Sequence, residues 1–303
     1  MHDDMNDNLP GDEMTRHSTP EQTTRRVLIA KIVDQTKIPR PIIEFYMAAI
    51  ELREKLEDRG KSEEGCEKST GRLLKPEELP LTPASRIALD IEECAAGLQP
   101  FFELKVGAHP VFQHQLKAVR ELLEQGGRSK SDLFHLTLAG ESSKIEEIAF
   151  AAGCDAGLLS FVVRSALRIS LAPDIKCKAR GCDFGAWRRG DCPACGSKPH
   201  FGYMISGGKD KTLCCSFCGQ QWAVDLSLCP FCGTTAGEMQ RMEVKALEHV
   251  WAEVCPECGS YIKIMDTRAT LLTGNPSLDD LASMHLDYVA AGEGYTRPIP
   301  APA

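Results

Sequence analysis

The sequence predicts an α + small β protein: a helical N-terminal bundle, a cysteine-rich β region, and a C-terminal helix. Three observations carry that expectation. Segments with helical apolar spacing follow one another up to about residue 172, punctuated by Gly and Pro. Eleven of the fourteen cysteines then fall between 177 and 258, among glycines and short β-prone runs. A last amphipathic stretch, SLDDLASMHLDYVAAGEG, follows Pro276. With 43% apolar residues in 303, the chain has material for a real core.

Four segments follow: a disordered tail over 1–18, a helical domain over 19–173, a double four-cysteine metal domain over 174–268, and a C-terminal helix and tail over 269–303. The acidic, polar start has no apolar run of the kind an export signal carries. TTRRVLIAKIVDQT places Arg25-Arg26 before an apolar run, but Lys31 and Asp34 interrupt it. The spacing of Val27, Leu28, Lys31 and Ile32 suits an amphipathic helix. No run approaches the ~20 apolar residues of a bilayer span. A cytoplasmic protein without membrane insertion is expected.

Ser18-Thr19-Pro20-Glu21 is a helix start, with a hydroxyl cap and proline in the first turn. PIIEFYMAAIELREKLEDRG puts Ile42, Phe45, Tyr46, Ala49, Leu52 and Leu56 on one face and stops at Gly60. KSEEGCEKSTGRLLKPEELP is a charged loop. TPASRIALDIEECAAGLQP is a capped helix closed by Gly97 and Pro100. Four further helical patterns follow: HPVFQHQLKAVRELLEQGG, SKSDLFHLTLAG, ESSKIEEIAFAAG and DAGLLSFVVRSALRISLAP. The texture changes at Pro173, and HFGYMI, HVWAEV and SYIKIM read as strands.

Four Cys-x-x-Cys pairs organise the β region: Cys192/Cys195, Cys215/Cys218, Cys229/Cys232 and Cys255/Cys258, each followed directly by glycine. A chain turning tightly around an ion needs a residue that takes positive φ without strain just there. The turn's N–H groups then face the sulfurs and stabilise their charge. The first two pairs are separated by residues 196–214 and the last two by 233–254. That is the spacing of two consecutive ribbons, an internal duplication offset by 37 at the first knuckle. A tandem zinc-ribbon or rubredoxin-like domain is therefore expected, with one metal ion per four cysteines. Disulfides suit neither the spacing nor a cytoplasmic chain.

Cys214 neighbours Cys215, but CSFCG gives Cys215 the ligand spacing. Cys177 and Cys182 lack the glycine turn and read as ordinary buried or free thiols, or else reactive ones. Cys66, Cys94 and Cys154 read as ordinary core or free thiols. Four-sulfur coordination serves iron and zinc equally.

Charge argues against a nucleic-acid partner. Between 177 and 265, ten Lys/Arg oppose nine Asp/Glu. Two divalent ions in four-thiolate cages would bring that region to about −3, and phosphate binding needs a clustered positive field. A ribbon closed by four protein ligands leaves no open position for water. His109 and His114 flank a helix start and read as caps or surface residues. Glu92-Glu93 reads as a solvated helix face. No catalytic residues are expected.

With these residues in view, the chain resembles the formate dehydrogenase accessory protein FdhE family. The resemblance lies in CPACGSKP with LCCSFCGQQW, in LCPFCG leading to VWAEVCPECGSYIKIMD, and in SLDDLASMHLDYVAAGEGYTRP, together about 190–298. Gly292 departs from it, standing where an acidic residue is common. The resemblance implies a helical first domain, a rubredoxin-like double metal domain with iron favoured over zinc, and a role in maturing formate dehydrogenase. It implies binding of that enzyme's catalytic subunit in the cytoplasm, and leaves self-association open. Trp222, Tyr261, Glu293 and Tyr295 are the candidate partner contacts, with packing on the knuckles an equal alternative for Trp222 and Tyr261. The rival classes are a rubredoxin-like electron carrier and, behind it, a zinc-ribbon nucleic-acid module.

Overall fold

The structure, a computed structural model, describes residues 27–30, 32–34, 36–59, 72–73, 78–83, 87–105, 109–124, 128–205, 210–235, 239–245, 247–267 and 273–298. The expected tail, the helix start at Ser18 to Glu21, and Cys66 lie outside them.

α1 (Arg40–Arg59) is the long helix expected from its apolar spacing. It buries more than one face: Ile43, Phe45, Met47 and Ile50 are inside as well as Tyr46 and Ala49. It packs against both α7 (Ala156–Ala179) and the C-terminal α8 (Pro276–Ala282), which is why a single stripe does not describe it. Between them lie α2 (Ile91–Ala96), α3 (Gln99–Phe102), α4 (Pro110–Glu124), α5 (Arg128–Ala139) and α6 (Ser142–Ala152). The Asp90 side chain caps α2 through the N–H groups of Glu92 and Glu93. The ring of His109 accepts from Phe112 N–H at the start of α4, and His114 is exposed, as are Glu92 and Glu93.

α7 runs straight through Pro173 to Ala179, beyond the change in texture. Its length and composition would suffice to cross a membrane, yet 67% of its most apolar window is buried in the fold. It is the core helix, touching α1, α2, α4, α5 and α6. Arg164 and Arg168 on it make polar contacts, to Ser216 and Glu57, that hydrocarbon could not offer.

The second half is one six-stranded sheet in the order β5-β4-β3-β8-β7-β6. The strands are β3 (Pro199–Met204), β4 (Asp210–Cys215), β5 (Gln221–Asp225), β6 (Gln240–Glu243), β7 (Val250–Val254) and β8 (Tyr261–Asp266). Each ribbon supplies three antiparallel strands, and β3 pairs in parallel with β8 through Phe201↔Lys263 to Met204↔Asp266. Corresponding strands of the two ribbons therefore run the same way, so the duplication is laid side by side as a repeat. β7 and β8 are buried on nearly every residue, because helices cover what would otherwise be a solvent face. A short parallel pair, β1 (Arg72–Leu73) with β2 (Cys182–Asp183), lies apart.

The expected C-terminal helix is two: α8 and α9 (His285–Gly292). α8 ends after seven residues at Ser283, whose hydroxyl and N–H both bond back to the carbonyls of Asp279 and Asp280. α8 packs on β3 and α9 on β7. A single core cluster extends from the helices into the first ribbon, from Phe45 and Val162 to Cys215, Phe217 and Trp222.

Candidate metal centre

The four knuckles are built alike. Gly196, Gly219, Gly233 and Gly259 all have φ between +66° and +78°, a region open to glycine and costly for other residues. In the first, third and fourth, that glycine N–H bonds the carbonyl of the knuckle's first cysteine, at 2.8, 3.0 and 2.9 Å. The N–H groups of Phe217 and Cys218 point at Cys215 Sγ, at 3.3 and 3.4 Å. Backbone N–H groups thus face sulfur, as the spacing predicts.

Cys192, Cys195, Cys215 and Cys218 form one cluster, and Cys229, Cys232, Cys255 and Cys258 a second; within each, the sulfurs lie within 4.8 Å of one another. Closest approaches are 3.6 Å (Cys192–Cys218) and 3.5 Å (Cys195–Cys215) in the first. In the second they are 3.8 Å (Cys229–Cys258) and 3.9 Å (Cys232–Cys255). A tetrahedron with metal–sulfur bonds of about 2.3 Å has edges of about 3.8 Å. Donor chemistry and spacing both fit one ion per cluster, and neither separates iron from zinc. Such an ion would hold two hairpin ends together and leave no position for a substrate.

The two cages differ in their surroundings. All four cysteines of the first are buried, whereas Cys232 and Cys258 of the second are exposed. Arg164 and Arg168 lie near enough to Cys215 to interact with it electrostatically. Burial raises Cys192, while hydrogen bonds from Cys192 and its neighbours hold Cys195 far below the ordinary thiol range. In the second cage burial raises Cys229 to about 12, and Cys258 is held at about 7.

The remaining thiols separate cleanly. Cys214, adjacent to a cage residue, points into a different core cluster with Phe201 and Met265, and burial raises its pKa. Cys94 and Cys154 are buried and free. Cys182 is half-buried and free, its thiol bonded to Lys178 O. Cys177 is disulfide-bonded, which corrects the expectation of an ordinary buried or free thiol. Its position on the last turns of α7 gave no knuckle signal.

The four candidate contact residues fall into two groups. Trp222 is buried, with its indole N–H on Arg189 O at 2.9 Å. Tyr261 is buried and donates to Asp287 Oδ1 at 2.7 Å. Both are occupied by internal packing. Glu293 is exposed and Tyr295 half-buried beside Ala290.

Sequence reasoning missed the charges that join the parts. Lys263 on β8 is completely buried between Asp280 Oδ1 (2.8 Å) and Asp287 Oδ2 (2.6 Å). Arg297 also reaches Asp280, at 2.7 Å, and the carbonyl of His200. Burial would raise Asp280, but Arg297 and then Lys263 outweigh it and hold it at about 2. On the helical side Glu57 accepts from Arg168 (3.0 Å) and Lys176 (2.7 Å), and Arg53 donates to Ser277 on α8. Burial pushes Glu57 up, and these cations together hold it below the usual range. The signal was present in the adjacent Asp279-Asp280 of an otherwise apolar stretch.

The sequence profile of the FdhE C-terminal domain matches residues 213–302. An FdhE homolog from Aquifex aeolicus is 32% identical over 116 residues, covering 37% of this chain and 40% of the relative. One from Pseudomonas aeruginosa is 35% identical over 125 residues, covering 36% and 38%. The chain thus matches about two fifths of the length of these relatives. The crystal structure of the FdhE protein from Pseudomonas aeruginosa shares the fold, with a TM-score of 0.57 over 89% of this chain and 91% of that one, at 20% identity. Over the knuckles and tail this chain is thus similar in sequence to FdhE proteins, and along most of its length it shares their fold.

Proposed function

We propose that the protein is an accessory factor in the maturation of formate dehydrogenase, acting in the cytoplasm on the enzyme's catalytic subunit. The observation that carries this reading is the pair of four-cysteine cages set side by side in one sheet, with residues 213–302 similar to the FdhE C-terminal domain. In this reading Cys192, Cys195, Cys215 and Cys218 ligate one ion, and Cys229, Cys232, Cys255 and Cys258 the other, with iron favoured. The cages act as rigid joints: they fix hairpins too small to hold themselves and present a surface to the client. Glu293 and Tyr295, at the exposed end of α9, are the contact residues retained. The reading assigns the protein no reaction of its own.

The test is co-purification of the tagged protein with the catalytic subunit from formate-respiring, anaerobic cells. Recovery of that subunit, lost in a Cys229→Ser/Cys232→Ser variant, is the expected result. Failure to recover it from cells that express it overturns the reading.

Exposure of Cys232 and Cys258 favours one second reading, electron exchange through the outer cage. The two separate in time. A maturation factor can be withdrawn once the enzyme is made; an electron carrier is needed throughout turnover.

A further inference from the structure

A cavity of about 270 Å³ opens where the end of α5, the start of α6 and the middle of α7 meet the knuckles of the first ribbon. Its charge comes from Arg164 and Lys198, and Ser142, Ser160 and Ser197 line it with hydroxyls; the Thr137 hydroxyl, also at the wall, is spent on the Leu133 carbonyl at 2.7 Å. No aspartate or glutamate lines it. That composition differs from the buried cation sites nearby and in the sheet. One helical turn along, Arg168 is paired with Glu57, and Lys211 and Lys263 are paired with Glu253 and Asp280.

Arg164 donates to Ser216 Oγ at 2.6 Å and lies 5.8 Å from the centre of the Phe217 ring. Among the described residues it meets no carboxylate. It also lies close enough to Cys215 and Cys195 to interact with them electrostatically. Lys198 reaches the carbonyl of Pro230 at 3.4 Å. α6, eleven residues long, begins at the cavity edge, and the side chain of Glu141 does not cap it. The Ser142 N–H at that edge is taken by the Gly140 carbonyl at 2.9 Å, so side chains, not the helix start, supply the donors.

We infer that this cavity binds a small oxyanion, held by Arg164, Lys198 and the surrounding hydroxyls. A guanidinium presents a planar fork of donors that suits a carboxylate or a phosphoryl group, and hydroxyls supply the remaining bonds. The volume admits a ligand of few atoms or a phosphoryl end, and is below the range of most drug-sized sites. Helical bundle and first ribbon both contribute, so the bound anion ties the two halves together. The inference does not depend on the proposed client.

The test is calorimetric titration of the full-length, metal-loaded protein with inorganic phosphate, with formate as the smallest carboxylate, and with chloride as the ionic control. Saturable one-to-one binding of phosphate or formate, without any for chloride, is expected. Phosphate alone points to a phosphoryl ligand and formate alone to a carboxylate. Lys198→Gln should weaken binding about tenfold while leaving the metal content unchanged. Because Arg164 also faces the first cage, a Ser142→Ala/Ser160→Ala variant supplies the independent check and should weaken binding as well. Neither oxyanion binding above chloride, or full affinity in both variants, overturns the inference.

Discussion

At the scale of single residues, the strongest commitments are buried charges. Asp280 accepts from both Lys263 and Arg297, and all three side chains are nearly sealed from water. Removing the Asp280 charge leaves two buried cations to share the one carboxylate of Asp287, which costs more than the pair contributes. Asp280→Asn should therefore lower stability by about 3–5 kcal/mol, read as a fall in denaturant midpoint at unchanged slope; a loss below about 1 kcal/mol would refute this reading of the network. His200 gives a pH signature. It is buried and flanked by Asp280, Arg297, Arg168 and Arg53, and burial lowers its pKa to about 3. Unfolded, it titrates near 6.5, so between those values the unfolded chain binds the extra proton. Stability should fall as pH drops from 7 to 5, approaching about 1.4 kcal/mol per pH unit for this one proton. His200→Gln should flatten that part of the Tm–pH curve, and an unchanged slope would show that other groups set it.

At the scale of elements, the knuckles show how a local sequence becomes a local shape. Glycine after the second cysteine was legible, because the turn demands positive φ whatever the tertiary context. Gly190 was not legible. A Cβ built there would lie 2.1 Å from Pro230 O, so the strand approach to the first ribbon sits directly against the second ribbon's knuckle. Gly190→Ala must push backbone aside and should destabilise by more than about 2 kcal/mol. Gly233→Ala meets no atom within 4 Å and should cost only the backbone strain, about 1–2 kcal/mol. Urea melts of the two variants check the ordering, and equal losses would contradict it. The break between α8 and α9 is a similar case. Helical periodicity runs through it unbroken, and the break shows only in the backbone of Ser283, at φ −105° and ψ 18°.

At the scale of the whole molecule, the two cages are chemically alike and physically unequal. The first is enclosed between the ribbon and the helices, while the second leaves Cys232 and Cys258 in solvent. A chelator can reach the second without unfolding anything. Metal release from the two-metal protein should be biphasic, with one equivalent leaving fast and the other only at the rate of opening of the fold. Cys232→Ser should abolish the fast phase and leave the slow one; a single phase releasing both ions would show the cages to be equivalent.

The sequence by itself determined the class of this protein: helices first, two four-cysteine ribbons next, amphipathic helix last. It also determined which eight of fourteen cysteines cluster. Those features follow from short-range rules, namely apolar periodicity, the Cys-x-x-Cys-Gly turn and fixed pair separations, which hold before the chain has folded. Only the tertiary structure decided that the ribbons fuse through the parallel β3–β8 pairing, that Asp280 and Glu57 lock helices to sheet, and that one cage is buried and its twin exposed. Trp222 and Tyr261 were drawn inward for the same reason. Burial and ion pairing arise between residues far apart in the chain, such as Glu57 and Arg168 or Lys263 and Asp280, and no local pattern encodes which distant partner will arrive.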